Sequence, residues 1–326
     1  MDNLAHGLFG AALGEAGLKE KTGLGLATLI LAANLPDVDA LGLLVGENLA
    51  WRRGWTHGPV AMLVLPPLLV GAMVAFDRWQ VRRGTRPAAR PPIHLGWLFA
   101  LAYIGWLSHP LLDWFNTYGI RLLMPLSERW FYGDTLFIID VWLWSALALG
   151  VWLARRRRRR GDAAPRRPAQ ASIALVAGYA TLMGAGSAAA ERMATEDAER
   201  HGVGPVRTAV ASPVPVNPLR REVVLATDEG YAFGEVRWTP APKVWVAYGV
   251  VINQIDDPAV ALARREKRVA DFLYWSRLPL ATVERRPDAT TVRIGDARYA
   301  VGAAAGRFEV VATLPPDQPQ RTPDRP

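Results

Sequence analysis

The sequence predicts an all-α multi-span membrane domain followed by a small α+β soluble domain. Three observations carry this. Long uncharged apolar runs are confined to the first 190 residues, arginine clusters directly follow two of them, and acids and bases nearly balance from Glu191 onward. Mean hydropathy over the 326 residues is only +0.08, so the signal lies in the distribution rather than the average. The boundaries read as 1–190 for the membrane domain, 191–315 for the soluble domain and 316–326 for a Pro-rich, polar, disordered tail.

Two short apolar runs come first, Leu4–Leu18 and Thr22–Leu35, joined by the charged apex Lys19-Glu20-Lys21. Each falls short of the roughly 20 residues that cross a bilayer. They are expected as short helices buried among neighbours or as a re-entrant hairpin covered by protein. Four later runs are long enough: His57–Phe76, Ile93–Phe115, Leu136–Ala154 and Ala171–Ala190, the last rich in the Gly and Ala that allow close helix packing. In the tail, Arg221–Thr227, Tyr231–Trp238, Lys243–Ile252, Thr290–Ile294 and Phe308–Thr313 read as short strands. Pro258–Trp275 has helical spacing, and Pro213–Pro218 reads as an extended linker or turn.

The net charge of +8 invites a nucleic-acid reading, but its placement argues against one. The excess sits in Arg78–Arg90 and Arg155–Arg167, each just after an apolar run, as cytoplasmic loops of membrane proteins require. With Lys19–Lys21 on the same side, the alternation places Asn34–Trp55, Asn116–Thr135 and the soluble domain outside. The expected location is therefore a bacterial-type inner membrane, with an extracytoplasmic C-terminal domain, membrane lipids as partners and no nucleic acid. No basic n-region or small-residue cleavage site opens the chain, so no cleaved signal peptide is expected. Absence of cysteine excludes disulfides, thiolate ligands and thiol nucleophiles. Many of the thirteen tryptophans fall at span ends, including Trp51, Trp55, Trp114 and Trp152, and read as aromatic belts.

Residues that hydrocarbon should reject mark the chemistry. His109 and Asp113, four apart, leave the same face of one helix, and Asn116 continues that face. An imidazole and a carboxylate one turn apart can bind one divalent cation; the bland alternative is a hydrogen-bonded pair tying two helices together. Asp37 and Asp39 stand in a Pro-Asp-Val-Asp turn, where turn chemistry alone explains aspartate. His57 opens a span, His6 lies near the start, and Asp134 precedes another span. Singly, each is bland. Under the deduced orientation, however, His6, Asp37, Asp39, His57, His109, Asp113 and Asp134 all fall toward the outer ends of their segments. Neutral imidazole with carboxylate suits Zn²⁺, Mn²⁺ or Fe²⁺, with Zn²⁺ or Mn²⁺ favoured for hydrolysis. Arg53, Arg121 and Asn116 are candidate substrate-binding residues; the two arginines, in outer loops, could clamp a phosphate, with interfacial arginine as the plain alternative.

The ordered series His6, Leu35-Pro-Asp-Val-Asp39, Arg53-Gly-Trp-Thr-His57, Trp106-Leu-Ser-His-Pro-Leu-Leu-Asp113, Asn116-Thr-Tyr-Gly119 and Leu122–Pro125 resembles the YdjM-like family. These are inner-membrane proteins described as metal-dependent hydrolases. The resemblance covers about residues 1–145 and implies His6, Asp37, Asp39, His57, His109 and Asp113 as metal-site candidates. Gly58 departs from it, standing where a Ser is expected after Thr-His.

The functional expectation is metal-dependent hydrolysis at the outer face of the cytoplasmic membrane, on a lipid or phosphate ester. His6, Asp39, His57, His109 and Asp113 would be ligands, and Asp37 or Asp134 the general base or an orienting carboxylate. The alternative is a non-catalytic membrane protein with a structural metal site and a partner-binding soluble domain. An ion or proton pathway needs ionisable residues across the midplane, where only Glu15 lies inward.

Overall fold

A computed structural model describes residues 1–45, 51–302 and 305–316. The expected disordered segment 316–326 lies almost wholly outside the described residues. The chain divides into two compact units, Met1–Ser187 with Pro215–Pro218, and Ala188–Val214 with the described residues from Leu219 onward.

The first unit is helical: α1 (Asn3–Glu15), α2 (Gly25–Asn34), α3 (Pro59–Arg82), α4 (Leu95–Trp114), α5 (Val141–Arg160) and the start of α6 (Arg167–Arg200). The apex Leu18–Lys21 is a 3₁₀ turn, as are most of the residues of the Leu35–Val45 segment and Trp55–His57. Asp2 caps α1 by accepting from the Leu4 and Ala5 amides, and Asp140 caps α5 through Trp142 and Leu143.

Among the described residues, three helices are long and apolar enough to cross a membrane, α3, α4 and α6. The expected fourth span, Leu136–Ala154, is shortened. Asp140 starts the helix late, and six arginines end its apolar part at Ala154. The two early runs form the pair α1–α2, two short helices as one of the expected alternatives has it. α6 begins before the expected Ala171 and continues past Ala190 without a break.

Close packing fixes α2 against α4. A Cβ added at Gly105 would stand 2.7 Å from the Ala32 Cβ and 2.8 Å from the Leu29 carbonyl oxygen. Only glycine permits that approach, the small-residue contact that drives association where lipid offers no hydrophobic gain. A separate core gathers Ala12, Leu112, Leu136, Leu143, Leu147, Val176 and Met183 from α1, α4, α5, α6 and a loop.

All three basic segments meet at one end of this unit. Glu20 pairs with Arg158 at 2.7 Å and with Arg166, while buried Glu15 takes Lys19 at 2.6 Å and Arg155 at 2.9 Å. The His94 amide donates to Thr22 at 2.8 Å, bringing the chain after Arg78–Arg90 to the same end.

The second unit carries two antiparallel sheets. One has the order β1 (Thr208–Pro213), β2 (Arg220–Ala226), β3 (Gly230–Arg237), β4 (Lys243–Val246), with β5 (Val251–Ile252) also on β3. The other is β6 (Pro279–Arg285), β7 (Thr290–Asp296), β8 (Glu309–Leu314). Along β2, Val223 and Leu225 face a core with Ala190, Ala194 and Ala198 of α6, whereas Val224 faces another with Val210, Leu278 and Ala297. This period-2 alternation buries both faces of the strand.

The expected strand Lys243–Ile252 is split in two, and the helical stretch is broken into α7 (Pro258–Ala263) and α8 (Lys267–Trp275). β1 and β6 were not anticipated. β1 reads Thr-Ala-Val-Ala-Ser-Pro, whose alanines lack strand propensity, and its pairing with β2 supplies what its composition does not.

Asp296 and Arg298 form a fully buried pair at 2.8 Å, and the Ser276 hydroxyl donates to Asp296 at 2.7 Å. Burial alone would raise the Asp296 carboxyl; the Arg298 charge and these hydrogen bonds outweigh it and hold the group below the usual carboxylate value. A depressed folded-state pKa stabilises the fold above the unfolded value of about 3.9, and that stabilisation is lost as pH falls through the folded value.

Asp296→Asn should therefore destabilise the second unit by about 3–5 kcal/mol at neutral pH, with the difference from wild type shrinking in acid, as measured by denaturant unfolding followed by circular dichroism. In the first unit, Gly105→Val should lower the thermal midpoint of the detergent-solubilised protein by several degrees, whereas Gly71→Val, where an added Cβ meets nothing within 4 Å, should leave it nearly unchanged.

Candidate metal centre

α2 ends because Pro36 offers no amide to continue it, which leaves last-turn carbonyls seeking donors. The carbonyl of Ala33 finds one in His109 Nδ1 of α4, at 2.7 Å. A carbonyl only accepts, so Nδ1 carries the proton and the lone pair of Nε2 points away from α2.

His57 is oriented in the same manner. Its Nδ1 lies 2.9 Å from the Thr56 hydroxyl and 3.4 Å from Asp39 Oδ2, and Thr56 donates to that oxygen at 3.3 Å. Nδ1–H is thus the donor, and the Nε2 lone pair faces inward. The two Nε2 atoms stand 3.0 Å apart, their rings inclined at 59°. With both Nδ1 positions protonated, two lone pairs oppose each other across that gap.

Asp113 Oδ2 completes the convergence, 3.4 Å from His109 Nε2 and 3.5 Å from His57 Nε2. Asp37 Oδ1 lies 3.8 Å from His109 Nε2, and His6 Nε2 lies 3.4 Å from Asp113 Oδ1. Two overlapping groups thus have ligand atoms mutually within 4.8 Å: His6, His109 and Asp113, and Asp37, His57 and His109. Ligands held tetrahedrally at about 2.0–2.1 Å from one ion stand about 3.3–3.4 Å apart, so these spacings fit a cation. Both ring nitrogens of His6, Asp113 Oδ2 and Asp37 Oδ2 are buried and make no hydrogen bond. Such orphaned atoms are costly in a dry interior and find a partner in a cation. The buried His/Asp groups could hold a metal ion.

His6 differs from the other two histidines. Its ring stacks on His109 at 3.7 Å between centroids, only 16° from parallel. Imidazole lone pairs lie in the ring plane, so parallel rings do not aim at one ion until one of them turns. His109 Nε2 has a single lone pair and belongs to both groups, which makes them one ion position rather than two.

Arg53 ties the site together. Its amide donates to Asp39 Oδ2 at 2.6 Å, and its guanidinium reaches Asp113 Oδ1 at 3.1 Å and Asn116 Oδ1 at 2.8 Å and lies over the Tyr118 ring. To do this the backbone adopts φ 53°, a left-handed conformation costly for arginine. The α-amino group of Met1 also donates to Asp113 Oδ1. Burial pushes the Asp39 carboxyl up to about 6, against the lowering effect of the Arg53 amide.

Of the residues singled out in the sequence, His6, Asp37, His57, His109 and Asp113 are brought together, with Asp39 behind His57. Asp134 belongs to neither group; it is buried at φ 49°, and its carbonyl accepts from Ser187. Arg53 and Arg121 are each 1% exposed, turned to protein partners; Arg121 donates to the Arg52 carbonyl and lies over the Trp130 ring. Thr56 and the Ala33 carbonyl were missed. Thr56 could have been found from its place beside His57, but a backbone carbonyl leaves no trace in sequence. Gly58 also gains a reason: a Cβ there would lie 1.9 Å from the Met124 carbonyl oxygen, so the Leu122–Pro125 loop leaves no room for serine.

No curated protein and no solved structure matches this sequence. A family model does, over residues 1–190, a stretch that includes the whole His/Asp cluster and all three candidate spans apart from the end of α6. The chain is a membrane protein and belongs to the YdjM inner membrane protein family.

Proposed function

We propose that the protein is a metal-dependent hydrolase acting at the outer face of the cytoplasmic membrane. The observation that carries this is the opposition of two Nε2 lone pairs, on His57 and His109, beside a carboxylate oxygen with no other partner. His57, His109 and Asp113 would hold a divalent cation, Zn²⁺ or Mn²⁺ by donor type, with His6 joining by a turn of its ring. Bound there, the cation supplies Lewis acidity toward an ester or phosphoryl oxygen.

The geometry favours an orienting role for Asp39 in place of the ligand role expected of it, and is compatible with the expected role of Asp37 as base. Asp39 lies on the Nδ1 side of His57, where it fixes tautomer and ring orientation, as carboxylates behind ligating histidines do. Asp37 faces His109 Nε2 and keeps a free buried oxygen, which suits it to accept a proton from a nucleophile or to complete the ligand set. Arg53 neutralises Asp113 and positions it rather than clamping substrate. Asp134 and Arg121 carry no part in this reading.

Burial favours a second reading. His6, His57, His109, Asp113 and Asn116 are all at most 1% exposed, as in a closed structural metal site with every position filled by protein. Turnover of a lipid or phosphate ester separates the two readings.

Elemental analysis of the detergent-purified protein should find one divalent ion per chain. Alanine at His57, His109 or Asp113 should remove most of it, whereas Thr56→Val should weaken affinity about 10–100-fold by freeing the His57 ring. Trp51→Ala should change nothing. Folded wild-type protein that holds no metal and takes up neither Zn²⁺ nor Mn²⁺ would sink the proposal. The orientation rests on the three basic segments sharing one end. Reporter fusions after Arg90 and Arg160 should report cytoplasm, and fusions after Trp55, Thr135 and Ala194 the outside.

A further inference from the structure

Toward the basic end of the helical unit, α1 and α5 run side by side in the same direction. Trp144 binds Asp2 near one end and Arg155 binds Glu15 near the other. Between them opens a groove of about 680 Å³ whose apolar wall includes Leu8, Val151 and Trp152 and whose rim carries Arg156, Arg159 and Arg160. The six arginines of α5 are not equivalent. Arg155 and Arg158 are spent on Glu15 and Glu20, and Arg157 stands 4.0 Å from Asp162. Among the described residues, Arg156, Arg159 and Arg160 have no carboxylate within ion-pair distance; Arg156 lies over the Trp152 ring, at 5.2 Å. Glu15 and Glu20 therefore orient the helix by neutralising two arginines, and the unneutralised ones stand over the apolar groove.

An apolar channel along two helices, ending in three uncompensated guanidiniums, matches one kind of molecule in its surroundings. We propose that this groove binds an anionic phospholipid, with an acyl chain against Leu8, Val151 and Trp152 and the phosphate at Arg156, Arg159 and Arg160. Guanidinium forks suit phosphate oxygens, and the groove walls replace neighbouring lipid tails for one chain. The arginines lie at the opposite end of α5 from the Trp144–Asp2 contact, and no residue lining the groove belongs to the His/Asp cluster, so the site is separate from the metal centre.

The test is native mass spectrometry of the full chain released from detergent containing equal phosphatidylglycerol and phosphatidylcholine. Wild type should retain one phosphatidylglycerol in preference to phosphatidylcholine. The triple change of Arg156, Arg159 and Arg160 to Gln should weaken retention on the order of 100-fold, from about fivefold per basic residue. Ala148→Trp, which fills the groove and keeps every charge, should abolish it; Leu8→Trp fills the same space from the facing helix and serves if the first variant fails to fold. Arg82→Gln with Arg83→Gln, in the other basic loop, should retain the lipid. Unchanged retention in both groove-filling variants would show that charge alone attracts lipid and overturn the site. Displacement by excess glycerophosphate would mean that the headgroup alone suffices, and would equally overturn a lipid occupant.

Discussion

A carboxylate shut off from bulk solvent governs the first unit. Asp113 is wholly buried, and an isolated charge in such a place costs far more than a fold of ordinary stability can carry. It is tolerated because Arg53 reaches it from a different segment, and that reach dictates much else. Arg53 bends its own backbone into the left-handed region, donates its amide to Asp39, and spans to Asn116 and the Gly119 carbonyl. The loops on either side of α3 and α4 are held in register by one guanidinium. Removing Arg53 would leave the Met1 α-amino group as the one formal positive charge on Asp113 among the described residues, and removing Asp113 would leave the buried guanidinium without its carboxylate.

Tautomer selection is the second consequence of dryness. In water, a histidine exchanges its proton between nitrogens freely. Here the Ala33 carbonyl claims one proton and the Thr56–Asp39 pair claims another, and both remaining lone pairs meet over Asp113. Such an arrangement is repulsive unless a cation or an added proton sits within it. The cluster is thus prepared for a positive guest by groups that never touch it. This is why the residues around the histidines matter as much as the histidines.

The unit is polarised along its helices. One end concentrates imidazole and carboxylate; the other concentrates arginine and lysine around Glu15 and Glu20. Apolar helices lie between, three of them, among the described residues, long enough to cross a membrane. Glycine at position 105 lets α2 and α4 approach closely enough to bring the Ala33 carbonyl within reach of His109. Small-residue packing and site chemistry are therefore one problem, since a wider helix separation would free the imidazole to turn.

The membrane character, the helical first half and the His/Asp residues of the centre were legible in the sequence, because hydrocarbon rejects charge and each exception stands out. His109 and Asp113 were paired by helical spacing alone, a local property. What spacing could not supply was the division of labour among residues far apart in the chain. Asp37 and Asp39 are indistinguishable in a Pro-Asp-Val-Asp turn, yet one faces His109 and the other supports His57 from behind. Arg53 reads in sequence as a clamp for substrate, and only the fold shows its guanidinium buried against Asp113. The splitting of Lys243–Ile252 and the recruitment of the alanine-rich β1 were likewise decided by strand pairing. Hydropathy and periodicity act within one segment and survive in the sequence; hydrogen-bond direction, ring orientation and charge compensation act between segments, and exist only once the helices and strands are packed.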